Sequence, residues 1–147
     1  MIKIRKYIYT DRYTFERLIN FNYAERKENP PEVEKIVSTI GFLNGVPQCG
    51  TIYIIQYNED IIGYAIVLNL WNSYNAKISY LIDDFFVLKN YRKYTPELNL
   101  IEFLLTHNNI YGIGIKPDIF KSFSKKIIKT LKFELDNQKL FVKIINR

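Results

Sequence analysis

A chain of 147 residues is long enough for one domain with a sizeable core, and 48% apolar content is ordinary for a globular protein. No apolar run approaches the ~18 residues needed to span a bilayer, and the charged, alternating start MIKIRKYIYTDRY has no signal-peptide core. One cysteine, Cys49, excludes an internal disulfide, and together these features give a cytoplasmic protein as the expectation. The net charge of +6 sits in residues 116–147, with 9 basic against 3 acidic side chains, while residues 1–115 balance at 12 against 12. A solvated lysine-rich helix face accounts for that excess. Attraction of nucleic acid or of an anionic cofactor is the competing reading.

In chain order, Ile2, Ile4 and Tyr7 mark a short strand. Thr10-Asp11 then offers a helix N-cap, and Phe15, Leu18, Ile19 and Tyr23 follow at helical spacing. Asn29-Pro30-Pro31 breaks the chain, with Pro31 suited to open a second helix whose apolar stripe is Val33, Ile36, Val37 and Ile40. The period then changes. TIYIIQY (51–57), IIGYAIVLNLW (61–71) and KISYLIDDFFV (77–87) are β-branched and aromatic, and short turns join them into an antiparallel meander. ELNLIEFLL (97–105) returns to helical character, and IYGIGI (110–115) is a strand. Phe120, Phe123, Ile127 and Leu131 mark a helix from Asp118 to Lys132, with Lys121, Lys125, Lys129 and Lys132 on its other face. A strand pair around Asp136-Asn137 closes the chain. The order β-α-α-β-β-β-α-β-α-β-β, with no repeat or linker, predicts a single α/β (α+β) domain over residues 1–147. It should have a mixed central sheet and about four helices.

That order and three separate strings resemble the GNAT N-acetyltransferase superfamily. NEDIIGYAIVL (58–68) is similar to the family's second hairpin, YLIDDFFVLKNYR (80–92) to its fourth strand and the start of its acetyl-CoA loop, and IIKTLKFEL (127–135) to its C-terminal segment. The acid-acid-Phe-Phe-Val string followed by Tyr91-Arg92 is most similar to the diamine (spermidine/spermine) acetyltransferase branch. The resemblance implies acetyl-CoA as co-substrate. The pantetheine arm would lie on the backbone of Phe86, Val87 and Leu88, and the phosphates on the turn from Arg92 through Lys93 and Thr95 to Leu98, where strand four meets a helix N-terminus.

The family's pattern at that turn is Arg/Gln-x-x-Gly-x-Gly/Ala. Arg92 matches it, whereas Thr95 and Glu97 stand at the small positions. Thr95-Pro96-Glu97 reads as a self-sufficient helix start. A hydroxyl is available to cap, Pro96 has no N–H, and the Glu97 carboxylate complements the dipole in a phosphate's place. Further along, Lys121, Ile128 and Lys132 replace a family Asn, Tyr and Gly. Ile128 cannot protonate a leaving thiolate, which leaves Tyr94 or Tyr111 as substitutes.

Amine acetylation needs a neutral amine, and a carboxylate is a suitable base. Asp83 and Asp84 are the candidate catalytic pair; a strand-end acid bonded to backbone N–H groups or to a lysine is the competing reading. Adjacent strand residues face opposite ways, so one of the two should line the cleft: Asp83 with Leu81 and Phe85, or Asp84 with Ile82 and Phe86. His107 suits a helix C-terminus better than catalysis, Trp71 suits packing, and no Cys/His cluster suggests a metal. The expected activity is acetyl transfer to a primary amine, with a polyamine or small diamine as the finer reading. A catalytically silent GNAT-fold binding or regulatory protein is the alternative. Expected partners are a small-molecule amine or a protein, with no membrane; nucleic acid is least favoured, and the closing strands offer an edge for a homodimer.

Overall fold

A computed structural model describes residues 1–106 and 109–119, Phe123, Lys125 and Lys129, and the backbone of 134–135 and 141–144. His107, Lys121, Ile128 and Lys132 lie outside the described residues, as does most of the helix expected over 118–132.

Seven strands form one mixed sheet in the order β1-β2-β3-β4-β5-β7-β6. They are β1 (Ile2–Lys6), β2 (Gly50–Tyr57), β3 (Asp60–Asn72), β4 (Lys77–Val87), β5 (Ile110–Ile115), β6 (Glu134–Leu135) and β7 (Phe141–Ile144). Every neighbouring pair is antiparallel except β4 and β5, which run parallel. This is the expected α+β architecture, with the N-terminal meander in place. Among the described residues the helices are α1 (Arg12–Glu25), α2 (Val33–Gly45) and α3 (Pro96–Leu105), with 3-10 turns over Tyr9–Asp11 and Lys89–Tyr94.

The sheet separates two apolar layers. Phe15, Leu18 and Ile19 of α1 and Ile36 and Leu43 of α2 pack with Ile52, Ile54, Tyr64 and Phe86 on one face. Leu100, Ile101 and Leu104 of α3 pack with Ile55, Ala65, Val67, Ile82 and Phe85 on the other. Phe123 joins the second layer, its ring 4.8 Å from that of Phe85, while Lys125 and Lys129 are exposed. This is the amphipathic split that the 3.6-residue period predicts.

Local details correct several expectations. Asp11 does stand at the N-cap of α1, but its carboxylate makes no cap bond. It accepts from the Ile8 N–H at 2.9 Å and from both ends of the Arg5 guanidinium at 2.7 and 2.9 Å. Burial alone would raise its pKa; the bonds from Arg5 and Ile8 outweigh that and hold it below the usual carboxylate value. Pro31 precedes α2 rather than opening it, since the N-cap is Glu32 with extended backbone. Trp71 does not pack in the core; it is 66% exposed near the β3–β4 turn.

The feature that positions the site is a β-bulge. On β3, Val67 faces Ile82 and Ile66 faces Asp84, so Asp83 has no partner. The extra residue re-phases the strand. Ile82 and Phe85 point into the α3 layer, while Phe86 points into the α1–α2 layer. The β4–β5 ladder ends at the same place, at Ile82–Ile115, and the Lys116 N–H closes on the Ile82 carbonyl at 3.1 Å. Beyond it residues 83–87 continue with no β5 partner.

Gly63 faces Val87 at the far end of that free segment, where β3 approaches β4 closely. A Cβ there would collide with the Phe86 carbonyl oxygen and come within 2.9 Å of Val87 Cγ2. Gly63→Ala is expected to lower unfolding free energy by roughly 1–3 kcal/mol, as overpacking does, measured by urea denaturation. An unchanged midpoint would mean that the strands do not meet this closely.

Candidate active site

The bulge turns both acids to one side. Asp83 and Asp84 both line a cavity of about 170 Å³ bounded by α1, α2 and the end of β5. The expectation that only one could line a cleft is therefore corrected: alternation holds for a regular strand, and here an unpaired residue interrupts it. Asp83 also borders an adjoining cavity of about 300 Å³ along α2.

The two carboxylates differ in surroundings. Asp84 is partly buried and fully engaged. Its Oδ2 accepts from the Tyr64 hydroxyl at 2.7 Å, and its Oδ1 accepts from Asn22 Nδ2 at 3.1 Å and from the Phe85 N–H at 2.9 Å. Asn22 also donates to the Tyr64 oxygen at 2.9 Å, which closes a three-residue knot between α1, β3 and β4. Desolvation raises the pKa of Asp84 and prevails over these donors and the Arg26 charge, all of which lower it. Desolvation and Asp84 together push the Tyr64 hydroxyl well up, so it is a neutral donor. Asp83 is one-third exposed and meets Lys116 Nζ at 3.5 Å; Lys116 in turn lies 3.9 Å from Asp118, which Arg26 reaches at 3.4 Å. Tyr23 lines the same cavity, its phenol held neutral by burial and by Asp84. This set can attract a cationic group through Asp83 and Asp118 and accept a proton at Asp84.

The cofactor-side residues lie at the end of β4 and in the turn beyond. Phe86 and Val87 belong to the segment with no β5 partner, and the Leu88 N–H turns back to the Ile62 carbonyl at 2.8 Å. Two backbone groups there are already taken, Phe85 N–H by Asp84 and the Val87 carbonyl by Arg92 Nε at 2.9 Å. Past Ile82 the edge of β4 has no β5 partner to which it is hydrogen-bonded. The turn is a different case. Arg92 directs both ends of its guanidinium to Glu25 at 2.7 Å each and lies over the Phe86 ring, 5.6 Å from its centroid. Lys93 sits over the Tyr94 ring. Thr95 is in the left-handed region at φ 52°, ψ 52° and makes no side-chain cap bond, which corrects the expected hydroxyl cap. Its backbone is engaged on both sides: the N–H donates to the Arg92 carbonyl at 3.1 Å and the carbonyl accepts from the Leu98 N–H at 3.0 Å. The left-handed backbone is the one a glycine would take at that position, here held by a β-branched residue. Pro96 has no N–H, and the side chain of Glu97 is buried in the first turn. In this arrangement the turn does not fit a diphosphate. Tyr94 stacks on Tyr57, with centroids 4.5 Å apart, and does not line the cavity; nor does Tyr111.

Sequence reasoning missed Glu25, Asn22, Tyr64 and Lys116. Asn22 was legible as a polar residue one turn beyond Leu18 on the apolar face of α1. The other three carry no local signal.

With this geometry in place, the fold is recognisable as the GNAT acetyltransferase fold. An acetyltransferase from Streptococcus agalactiae is similar at a TM-score of 0.70 and 16% identity over 98% of both chains. A GNAT-family acetyltransferase from Staphylococcus aureus is similar at 0.68 and 16%, over 99% of this chain and 100% of that one. A transcriptional regulator from Bacillus halodurans is similar at 0.70 and 13%, over 93% and 95%. At such identities the likeness is one of fold. No family model and no curated protein matches the sequence.

Asp84 has a raised pKa in the folded chain, so the folded state holds its proton more tightly than the unfolded state does. Its contribution to stability is present at low pH and is lost as pH rises from the ordinary carboxylate range through the raised value. Asp84→Asn, which keeps the shape and removes the charge, is expected to be more stable than the parent at neutral pH. The difference should vanish in acid. Denaturant midpoints against pH measure this, and a variant less stable at pH 7 than at pH 4, relative to the parent, would contradict the assignment.

Proposed function

We propose that the chain transfers an acetyl group from acetyl-CoA to a primary amine in the cavity between α1, α2 and β4. The observation that carries this reading is the Asp83 bulge, which delivers two unlike carboxylates to one cavity beside the free segment of β4. Acetyl-CoA would supply the acyl group as an activated thioester.

The chain's own residues have distinct parts in this scheme. Asp83 and Asp118 draw an ammonium into the mouth, in competition with Lys116. Asp84, held above the usual carboxylate range, takes the proton that the ammonium must lose before its nitrogen can attack. Tyr64 and Asn22 fix the orientation of that carboxylate. The backbone of Phe86, Val87 and Leu88 aligns the arm of the donor, and the turn of Arg92, Lys93, Thr95 and Leu98 would face its phosphates only after the Arg92–Glu25 pair opens. A polyamine or small diamine is the finer reading for the acceptor, supported by the similarity of the Asp83–Val87 string to the diamine branch and by Asp83, Asp84 and Asp118 around one small cavity, which Arg26, Lys35 and Lys116 also line. A second reading, a GNAT-fold binding or regulatory protein without catalysis, is favoured by Arg92 being paired with Glu25 and by Pro96 and Glu97 in the turn.

Incubation with acetyl-CoA and a panel of primary amines, including spermidine and small diamines, is expected to release free thiol. Asp84→Asn should lower kcat by roughly 10²-fold or more, the scale of general-base catalysis. Asp83→Asn should act chiefly on KM for the amine. Absence of turnover together with absence of acetyl-CoA binding in calorimetry at millimolar ligand would remove the catalytic reading and leave the second.

A further inference from the structure

We propose that Glu25 is a built-in occupant of the Arg92 fork and that it sets how tightly this end of β4 takes a diphosphate. Naming the diphosphate as that of a CoA donor rests on the reading above; the site itself does not.

The guanidinium is a prepared fork. Its Nε is tied to the Val87 carbonyl and its face rests over the Phe86 ring, so its two terminal nitrogens are aimed outward from the end of β4. They meet the two oxygens of Glu25 at 2.7 Å each, the parallel double bond that a guanidinium offers equally to a carboxylate or a phosphate. Lys89 adds positive charge at the same spot: with Arg92, it lowers the proton affinity of Glu25. The carboxylate is therefore charged at neutral pH, and it stands where a phosphate with two accessible oxygens would stand.

Glu25 is poorly placed for its own helix. It is the last residue of α1, at the negative end of the helix dipole, and α1 has no basic residue in its last turn. What offsets that position is the contact with Arg92. The pair is also exchangeable. Arg92 is 39% exposed and Glu25 49%, and an ion pair so open to water is weak enough to be displaced by an oxyanion of higher charge. The poor fit of the turn to a diphosphate thus has a specific cause at Arg92, an internal anion in the place of an external one. Glu25 lies 67 residues from Arg92 in sequence, so substitution there alters the anion site without touching the turn.

The test is calorimetric titration of the full chain and of Glu25→Gln, Arg92→Gln and the double variant, with inorganic pyrophosphate and with CoA as separate probes at one fixed ionic strength. Glu25→Gln is expected to bind pyrophosphate about 5–10-fold more tightly than the parent, and the double variant to lose that gain. No gain in Glu25→Gln, or a gain that survives in the double variant, would overturn the proposal, the latter because it would reflect net charge rather than a freed fork. A gain for pyrophosphate with none for CoA would leave the oxyanion site standing and remove CoA as the donor.

Discussion

One unpaired residue organises the candidate site. Asp83 has no partner on β3, and strand β4 is re-phased by one position where it parts from β5. Without that bulge the strand would alternate regularly, and its two acids would lie on opposite faces of the sheet. With it, Ile82 and Phe85 reach the α3 layer, Phe86 reaches the α1–α2 layer, and both carboxylates open into one cavity. Packing and chemistry therefore depend on the same backbone irregularity. The knot of Asp84, Tyr64 and Asn22 then ties α1 to the two strands at this point, so the helix that walls the cavity is registered by the residue that serves it.

Charge in and around the site is compensated from within. Lys116 lies between Asp83 and Asp118, Arg26 reaches Asp118, and Arg92 is matched by Glu25. Each pair is partly exposed, and all but Lys116–Asp118 join segments distant in sequence. Such pairs contribute little stability and break at little cost. Pairs of this kind are open to exchange with external ions of the same sign. That behaviour suits both the catalytic reading and the binding one, and it separates the question of fold from the question of turnover.

Most of the fold was legible because it follows from hydrophobic period. The three meander strands, the apolar faces of α1 and α2, and the return to helix at α3 are all written in spacing, and each appears within a few residues of where it was read. The candidate site was legible only as composition. Asp83 and Asp84 stood out as adjacent acids in an apolar strand, but a bulge is a property of pairing between two strands and leaves no mark in one. Thr95 was read as a cap from its hydroxyl, whereas its backbone adopts a left-handed conformation that takes the side chain away from that role. Glu25, Lys116 and Tyr64 were invisible for a different reason. Their roles come from partners brought near by the sheet, and nothing in their local sequence distinguishes them from ordinary surface or core residues.

In the proposed reaction the bulge holds Asp84 in a partly desolvated, hydrogen-bonded setting suited to a base. The most direct measurement is an NMR titration of its carboxyl carbon in the folded chain. The Asp84 resonance should titrate above the ordinary aspartate value. An Asp84 that titrates at or below the ordinary value would place it among solvated or ion-paired acids, and would contradict both the geometry assigned to the bulge and the role built on it.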